Sequence, residues 1–332
     1  MKTGFRILLA LIVILVAAFF IFRTPDTDRT EMIAKYSNEA SQFLDDGLGG
    51  KIHYRDEGNK NGPAILLIHG SNSLLQTWEP VVDRLGDKYR LISLDLYGHG
   101  LTGPHPNDDY SADAYIAAAV KVLDTVDVER AYWVGNSMGG WLSWRAGLAV
   151  PDRVSGLVLI DASGAQTDEK IKPYLGARLA RSSIGQLLLP EITPKFLVRS
   201  SLEENFAQPE RLTDELVTRY WELLRFPGNR QGSVTRGKTA REPEKWAEIG
   251  GLNMPVLLLW GEQDKVIPVS HAKAFEEAIP GSKLIIYRDA GHLPMEETPD
   301  QVARDIGTWI EGTEAMSEQE ASRQEAQLEE VG

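Results

Sequence analysis

The sequence predicts an α/β fold built on parallel βαβ units. Short apolar runs at residues 91–94 and 154–160 alternate with a helix-compatible run at residues 111–126, and this alternation is typical of strands joined by helical crossovers. Residues 64–68 and 255–260 are apolar without interruption, as expected of strands that are buried on both faces. A chain of 332 residues, of which 42% are hydrophobic, is long enough to enclose one large core.

The first 23 residues predict a membrane anchor, with a cleaved signal sequence as the alternative. Residues 7–22 are sixteen uninterrupted apolar residues, preceded by Lys2 and Arg6 and followed by Arg23. Charged side chains at both ends of such a run can reach the membrane surface. The flanking charges mildly favour an N-terminus in the cytoplasm and an extracytoplasmic catalytic domain, periplasmic in a bacterium. Residues 24–49 are then a polar tether.

The strongest functional pattern in the chain is a short glycine-flanked serine turn. It consists of Gly135, Asn136, Ser137, Met138 and Gly139, which fit G-x-S-x-G between a strand-like run and a helix-compatible run. In that context the pattern forms a nucleophile elbow, a turn so tight that only small neighbours fit around the serine. The turn places the hydroxyl at a helix N-terminus, where backbone N–H groups can stabilise an anion. Ser137 is therefore the candidate nucleophile.

A serine hydroxyl needs a base to take its proton, and the candidate base is a downstream histidine. His292 follows the apolar run at residues 284–287 in a glycine-containing loop. This is where the chain order serine, acid, histidine expects the base. His271, the other downstream histidine, lies at the start of a predicted surface helix, and we assign it a solvated role.

The acid is expected in the loop that follows the apolar run at residues 255–260. That loop contains Glu262 and Asp264. Asp264 is the candidate, and Glu262 is the alternative if the register of the loop differs. A carboxylate here would hold the imidazole of His292 in the required tautomer and stabilise its protonated form.

The loop after residues 64–68 is the predicted oxyanion hole. It begins at His69 and contains Ser71. The backbone N–H of Ser71 is expected to join that of Met138 in binding the oxyanion that develops during acyl transfer. We interpret His69 as a structural residue that holds the loop by side-chain hydrogen bonds.

Five landmarks in this order resemble those of the α/β-hydrolases, over roughly residues 50–311. They are the His69–Gly70 loop, the turn at residues 95–100, the Ser137 elbow, the Asp264 loop and the Gly291–His292 turn. The resemblance implies a mostly parallel, eight-stranded sheet flanked by helices, with the site at the C-terminal ends of the strands. It also implies that Asp95 and His99 form a turn. Haloalkane dehalogenases and epoxide hydrolases, which the chain also resembles, use an Asp nucleophile, so the serine at position 137 disfavours their activities.

In residues 162–250 the alternation of strand-like and helix-compatible runs stops, which predicts a helical cap. Strand-like runs disappear there, and helix-compatible stretches follow at residues 171–181, 194–205 and 211–226. The resemblance implies an inserted lid at this position, over Ser137. We therefore predict a core at residues 50–161 and 251–311 with the cap between them, where it excludes water and shapes the substrate pocket.

Composition excludes several classes of function. The chain has no cysteine and therefore neither a disulfide nor a thiolate metal site, and its net charge of −13 argues against nucleic acid as a partner. Neither metal-ligand spacing nor a Gly-rich phosphate loop is present, so we expect no metal and no cofactor. From Glu311 to Gly332 there are seven Glu and one Arg, and residues 312–332 are predicted to be an acidic tail, disordered or loosely helical.

Together these expectations predict a membrane-anchored serine hydrolase. It would cleave small to medium carboxylic esters through a Ser-His-Asp triad and an acyl-enzyme, with a small-molecule acyl compound as substrate. Three alternatives stay open. They are C–C bond or lactone hydrolysis on the same triad, which the elbow also resembles; hydrolysis of acyl-glycerols or other lipids; and ligand binding without catalysis.

Overall fold

The computed structural model describes residues 2–169, 182–238 and 245–331. Within this part of the chain, one sheet contains eight strands. They are β1 Ser41–Asp45, β2 Lys51–Gly58, β3 Ala64–Ile68, β4 Arg90–Leu94, β5 Ala131–Asn136, β6 Val154–Ile160, β7 Val256–Gly261 and β8 Lys283–Tyr287. Their order is β1-β2-β4-β3-β5-β6-β7-β8. β1 and β2 pair antiparallel, and β3 to β8 run parallel, which confirms the predicted fold.

Helices flank the sheet and form the segment between β6 and β7. In the described residues they are α1 Lys2–Phe22, α2 Arg29–Tyr36, α3 Glu79–Leu85, α4 Ala112–Thr125, α5 Met138–Ala149, α6 Ser183–Leu188, α7 Lys195–Asn205, α8 Asp214–Leu224, α9 Asn229–Lys238, α10 Val269–Ala278, α11 Pro294–Glu297 and α12 Pro299–Val331. α4 shows why the predicted run forms a helix, since the Oγ of Ser111 accepts the Ala114 N–H at 3.2 Å and caps its first turn.

The parallel strands are buried on both faces. Leu66 and Ile68 of β3 lie in one buried cluster, whereas Ile65 and Leu67 lie in a second cluster on the opposite face. Because successive side chains of a strand alternate across the sheet, a strand covered on both faces is apolar throughout. The runs at residues 64–68 and 154–160 therefore coincide with β3 and β6.

The predicted membrane anchor is wrong. Among the residues that the structure describes, no helix has both the length and the apolar character that crossing a membrane requires. The apolar run at residues 7–22 has only sixteen residues. In a helix they rise about 24 Å, against a hydrocarbon core of about 30 Å. The predicted extracytoplasmic location depended on the anchor and is withdrawn with it.

The segment predicted as a tether is folded instead. Residues 24–49 contain α2 and the edge strand β1. Met32 of α2 is buried, and Asp26 pairs with Arg230 at 2.6 Å. Apolar and ionic contacts therefore bind this segment to the rest of the molecule.

Two further segments can be compared with their predictions. α7 and α8 lie within the stretches at residues 194–205 and 211–226 that were expected to be helical. The expected helix at residues 171–181 lies outside the described residues. α12 continues to Val331, so the acidic tail, for which the sequence leaves disorder and a loose helix open, is helical. The first half of α12 packs against the sheet through buried apolar residues, and the Ala, Glu and Gln residues beyond them favour continuation of the helix.

Candidate active site

The parallel sheet brings its polar loop residues to one edge. The carboxyl ends of β3 to β8 are followed by His69, Asp95, Ser137, Asp161, Asp264 and His292, in that order. Ligands of open α/β sheets bind at this edge, since the loops after the strands converge there.

Ser137 occupies a strained turn between β5 and α5. Its φ of 54° lies in the left-handed region, which non-glycine residues seldom adopt. A Cβ on Gly135 would lie 2.2 Å from the Gly139 carbonyl oxygen, and one on Gly139 would lie 2.1 Å from the Ile68 carbonyl oxygen. Neither position has space for a side chain, which explains the two glycines of the pattern. The turn presents Ser137 at the N-terminus of α5.

His292 and Asp264 form a buried hydrogen-bonded pair. The Nδ1–H of His292 donates to the Oδ2 of Asp264 at 2.7 Å, and both residues are buried. The Oδ1 of Asp264 accepts the N–H groups of Val266 and Ile267 at 2.7 and 2.9 Å. These bonds fix the carboxylate, which in turn fixes the histidine ring. Glu262, the alternative acid, is exposed.

Asn136 brings the His292 loop next to the elbow, and the sequence alone does not identify it. Its Nδ2 donates to the His292 carbonyl oxygen at 3.0 Å and to the Ile160 carbonyl oxygen at 3.3 Å. The residue before Ser137 therefore holds the backbone of His292. A polar residue at the buried end of an apolar strand is the signal that could have indicated this contact.

The loop after β3 lies against the elbow. A Cβ on Gly70 would lie 3.1 Å from the Cβ of Ser137, and the Oγ of Ser71 lies 3.2 Å from the Sδ of Met138. Met138 begins α5, so its N–H has no partner one turn earlier in the helix. The loop and the helix N-terminus thus face the same space above Ser137.

His69 holds this loop in place. Its Nδ1–H donates to the Gly70 carbonyl oxygen at 2.8 Å, and its Nε2 accepts the Leu96 N–H at 3.1 Å. Complete burial lowers the pKa of His69, although the nearby Asp95 raises it in part. The neutral ring that these bonds require is therefore also the form that burial favours.

Asp161 is a buried carboxyl group beside the His292–Asp264 pair that the sequence prediction missed. One side-chain ligand atom from each of the three residues lies within 4.8 Å of the others. The Oδ1 of Asp161 accepts the Gly261 N–H at 2.9 Å, whereas its Oδ2 has no hydrogen-bond partner among the residues that the structure describes. Burial and, secondarily, the charge of Asp264 raise the pKa of Asp161 well above its usual range. Its place directly after β6 is the signal that could have found it.

The other predicted roles can be compared with the structure. Asp95 accepts the N–H groups of Leu75 and Leu101 at 2.9 and 2.8 Å, which fits a turn-forming residue. His99 donates through its Nδ1–H to the Tyr97 carbonyl oxygen at 2.9 Å.

His271 is buried rather than solvated. Its Nε2 lies 3.3 Å from the Oγ1 of Thr167. The segment after β6 therefore covers the face of α10 that carries His271, which was predicted to be exposed to solvent. Burial also lowers the pKa of His271.

Comparison with known proteins assigns the fold to a family. A family model described as the alpha/beta hydrolase fold matches residues 63–299. This chain belongs to the α/β-hydrolase family. The match spans both halves of the parallel sheet and includes the elbow, the Asp264 loop and the His292 loop. Membership in this family supports enzymatic activity of a hydrolase.

Curated relatives of this α/β-hydrolase cover most of its length. An uncharacterised protein of Mycobacterium tuberculosis is 30% identical over 274 residues, which are 79% of each chain. The uncharacterised hydrolase YugF of Bacillus subtilis is 27% identical over 282 residues, 81% of this chain and 97% of YugF. Lipase 3 of a Moraxella species is 27% identical over 301 residues, 85% of this chain and 90% of the lipase.

Among solved structures, a hydrolase from Pseudomonas aeruginosa PA01 has a similar fold. It superimposes with a TM-score of 0.70 at 22% identity, over 82% of this α/β-hydrolase and 99% of that chain. At this identity the similarity concerns the fold.

Proposed function

We propose that this chain is a serine hydrolase of small to medium carboxylic esters, with Ser137, His292 and Asp264 as its catalytic triad. The observation that carries the proposal is the buried 2.7 Å hydrogen bond between His292 and Asp264, on a loop tied to the residue before Ser137. A nucleophile in a strained elbow beside an oriented base is the arrangement that acyl transfer requires.

The proposed reaction proceeds through an acyl-enzyme. The Nε2 of His292 takes the proton of Ser137 as the Oγ attacks the ester carbonyl, and Asp264 stabilises the resulting imidazolium. The N–H groups of Ser71 and Met138 stabilise the tetrahedral oxyanion. His292 then returns the proton to the leaving alkoxide. Water, deprotonated by His292, releases the carboxylic acid and restores Ser137.

The helices between β6 and β7 are proposed to form a cap over this site. They contact the loop that carries Ser71. The hydroxyl of Tyr220 in α8 lies 3.2 Å from the Oγ of Ser73, and Arg236 of α9 donates to the Oδ1 of Asn72 at 3.3 Å. A cap in this place limits access of water to the acyl-enzyme and determines which acyl groups fit.

Chemistry and one relative support the proposal of an ester substrate. The triad needs no further group to cleave an ester, since an alkoxide leaves readily once it is protonated. One relative that covers most of the chain is a lipase, and lipases cleave carboxylic esters. The length of the acyl chain that the site accepts is proposed to depend on the shape of the cap, and a series of esters measures it.

The test is hydrolysis of p-nitrophenyl esters from acetate to palmitate by the wild type and two serine variants. Ser137→Ala should lose at least ~10³-fold in kcat while the protein stays folded. Ser41→Ala is the matched control, since Ser41 lies 3.1 Å from His53, which bonds Asp95 at 2.7 Å. Ser41 belongs to the extended strand β1 and has no elbow, so its variant should keep full activity.

Two results would contradict the proposal. One is substantial turnover by Ser137→Ala, which would place the nucleophile elsewhere. The other is a folded wild type that hydrolyses none of the esters, which would favour C–C or lactone hydrolysis, or ligand binding without catalysis.

The rate should also depend on pH. It should fall in acid, because a base that must accept the serine proton acts only in its unprotonated form. A pH–rate profile of kcat on the best ester measures this dependence. A rate that does not change with pH would argue against His292 as the base.

A further inference from the structure

The loop that carries His292 is hydrogen-bonded to the chain that leaves α7 in the proposed cap. The His292 N–H donates to the Asn205 carbonyl oxygen at 2.7 Å. The neighbouring Gly291 N–H donates to the Oε1 of Glu297 at 2.7 Å, and the Ala207 N–H donates to the Oε2 of the same carboxylate at 2.7 Å. One buried side chain thus connects the two segments.

The two segments are in direct contact at Gly291. A Cβ there would lie 2.5 Å from the Asn205 carbonyl oxygen and 2.7 Å from the Ala207 nitrogen. Glycine is the only residue that lets the backbones approach this closely. The contact is therefore between main chains, and a displacement of one segment is transmitted to the other without an intervening flexible side chain.

The carboxylate of Glu297 suits this position because it offers two acceptors and no donor. The Gly291 and Ala207 N–H groups each bind one of its oxygens. Burial raises the pKa of this carboxyl, whereas backbone N–H groups, among them those of Gln208 and Leu293, lower it in part. Glu297 lies at the end of α11, the short helix that follows the His292 loop. The titratable and charged groups that face it are Arg211, which donates to its backbone oxygen at 3.0 Å, and the carboxyl of Asp161 beside the site.

We propose that Glu297 is a positioning residue that couples residues 205–207 to the His292 loop, so that movement of the cap displaces the catalytic base. The inference rests on the proposed function of His292, and it states that the position of the cap regulates the activity of this site. When these cap residues dock, both N–H groups bind the carboxylate and Asn205 accepts the His292 N–H. When they move away, the loop loses the Asn205 contact and Glu297 loses the Ala207 N–H, while the Asn136 contact from the core stays.

The effect on catalysis should be large for a small displacement. An error of about 1 Å in the position of a catalytic group can cost about 10²-fold in rate. Substrate binding in the pocket depends less on the imidazole than the proton transfer does. The coupling should therefore change kcat more than KM.

Two variants and one matched control test the coupling. Glu297→Gln keeps the shape but replaces one acceptor with an NH2 group, which opposes an N–H. Ala207→Pro removes the Ala207 N–H on the cap side, and Phe206, at φ −92° and ψ 137°, has the backbone that precedes a proline. Glu311→Gln is the control, since it makes the same change in α12, at a carboxylate that pairs with Lys88 of the core at 2.7 Å.

Hydrogen exchange by mass spectrometry and steady-state kinetics on a p-nitrophenyl ester are the measurements. Glu297→Gln should speed exchange in peptides that cover residues 203–208 and 289–293. Ala207→Pro should speed it at residues 289–293, on the other segment. Both should lower kcat about tenfold or more with KM within about twofold, and Glu311→Gln should leave kcat and the exchange of residues 289–293 unchanged.

The outcomes separate this inference from the proposed function. If Ala207→Pro leaves exchange at residues 289–293 unchanged, or if Glu297→Gln affects one segment alone, the coupling is wrong even where serine-dependent turnover persists. If the wild type hydrolyses no ester, the proposed function fails, and exchange still decides the coupling. If Glu297→Gln does not fold, Ala207→Pro alone decides it.

Discussion

At the scale of single residues, the site contains one carboxyl group more than the proposed triad needs. Asp161 and Asp264 lie side by side in a buried environment, and two buried carboxylates cannot both ionise without a large cost. Asp264 accepts two backbone N–H groups and the His292 ring, whereas Asp161 accepts the Gly261 N–H. Asp161 is then the neutral partner, as the raised pKa of its side chain indicates.

A neutral Asp161 makes the stability of the protein depend on pH. Its folded-state pKa is raised above the unfolded value of about 3.9, so the folded state holds a proton that the unfolded state releases. The free energy of unfolding therefore falls as the pH rises through this interval. Asp161→Asn has no carboxyl to titrate at this position and therefore lacks this fall in unfolding free energy. The difference in unfolding free energy between the variant and the wild type should grow in favour of the variant from pH 4 to pH 7.

Urea unfolding at pH 4, 5.5 and 7 measures this gain. The same substitution at the exposed Asp152 is the control and should show no such trend. A stability difference between Asp161→Asn and the wild type that stays constant over this range would contradict a neutral Asp161.

The residues of the proposed triad could be named from the sequence, whereas their neighbours could not. Ser137, Asp264 and His292 each follow an apolar run in a recognisable order, which local patterns reveal. Asn136 and Asp161 act through contacts with segments more than 20 residues away in the chain. Their partners depend on the pairing order of the strands, which no local pattern contains.

At the scale of elements, the elbow depends on the absence of side chains from its glycines. Gly139→Ala places a Cβ 2.1 Å from the Ile68 carbonyl oxygen. This oxygen belongs to the backbone of β3, so it cannot move away by rotation of a side chain. We expect the variant to lose about 1–3 kcal/mol of unfolding free energy, together with activity, because the relief of this clash must move α5 or β3.

Gly312→Ala is the matched control for this prediction. Gly312 lies in α12 with nothing within 4 Å of an added Cβ. An alanine there should stabilise the protein by about 0.5–1 kcal/mol, because it restricts the unfolded chain. Urea unfolding measures both variants. Equal effects of the two substitutions would show that the elbow has more space than its geometry implies.

Prediction of the elements succeeds where burial determines the residue types. The strands at residues 64–68 and 154–160 begin and end at the same residues as the predicted apolar runs, because both faces of the sheet are covered. It fails at the N-terminus, where an apolar run predicts an anchor although it is shorter than a membrane span. At the C-terminus composition leaves disorder and a loose helix open, and α12 extends through this polar stretch.

At the scale of the whole molecule, polar contacts join the proposed cap to the core. The hydroxyl of Tyr220 in α8 donates to the Oε1 of Glu296 at 2.6 Å and lies 3.2 Å from Ser73. Arg219 beside it pairs with Glu79 at 2.7 Å. α8 is therefore bound to α11, to α3 and to the loop after β3, and the stability of the cap should depend on these contacts.

Tyr220→Phe tests this dependence. The variant leaves Glu296 without one of its donors while Thr77 still bonds it, and a lost bond to a buried acceptor costs about 1–3 kcal/mol. Tyr287→Phe is the control, since its hydroxyl donates to Asp305 at 2.9 Å between β8 and α12. Both should lower the free energy of urea unfolding, but only Tyr220→Phe should speed hydrogen exchange in α8 and at residues 70–73. The same exchange pattern in both variants would mean that the cap opens only when the whole domain unfolds.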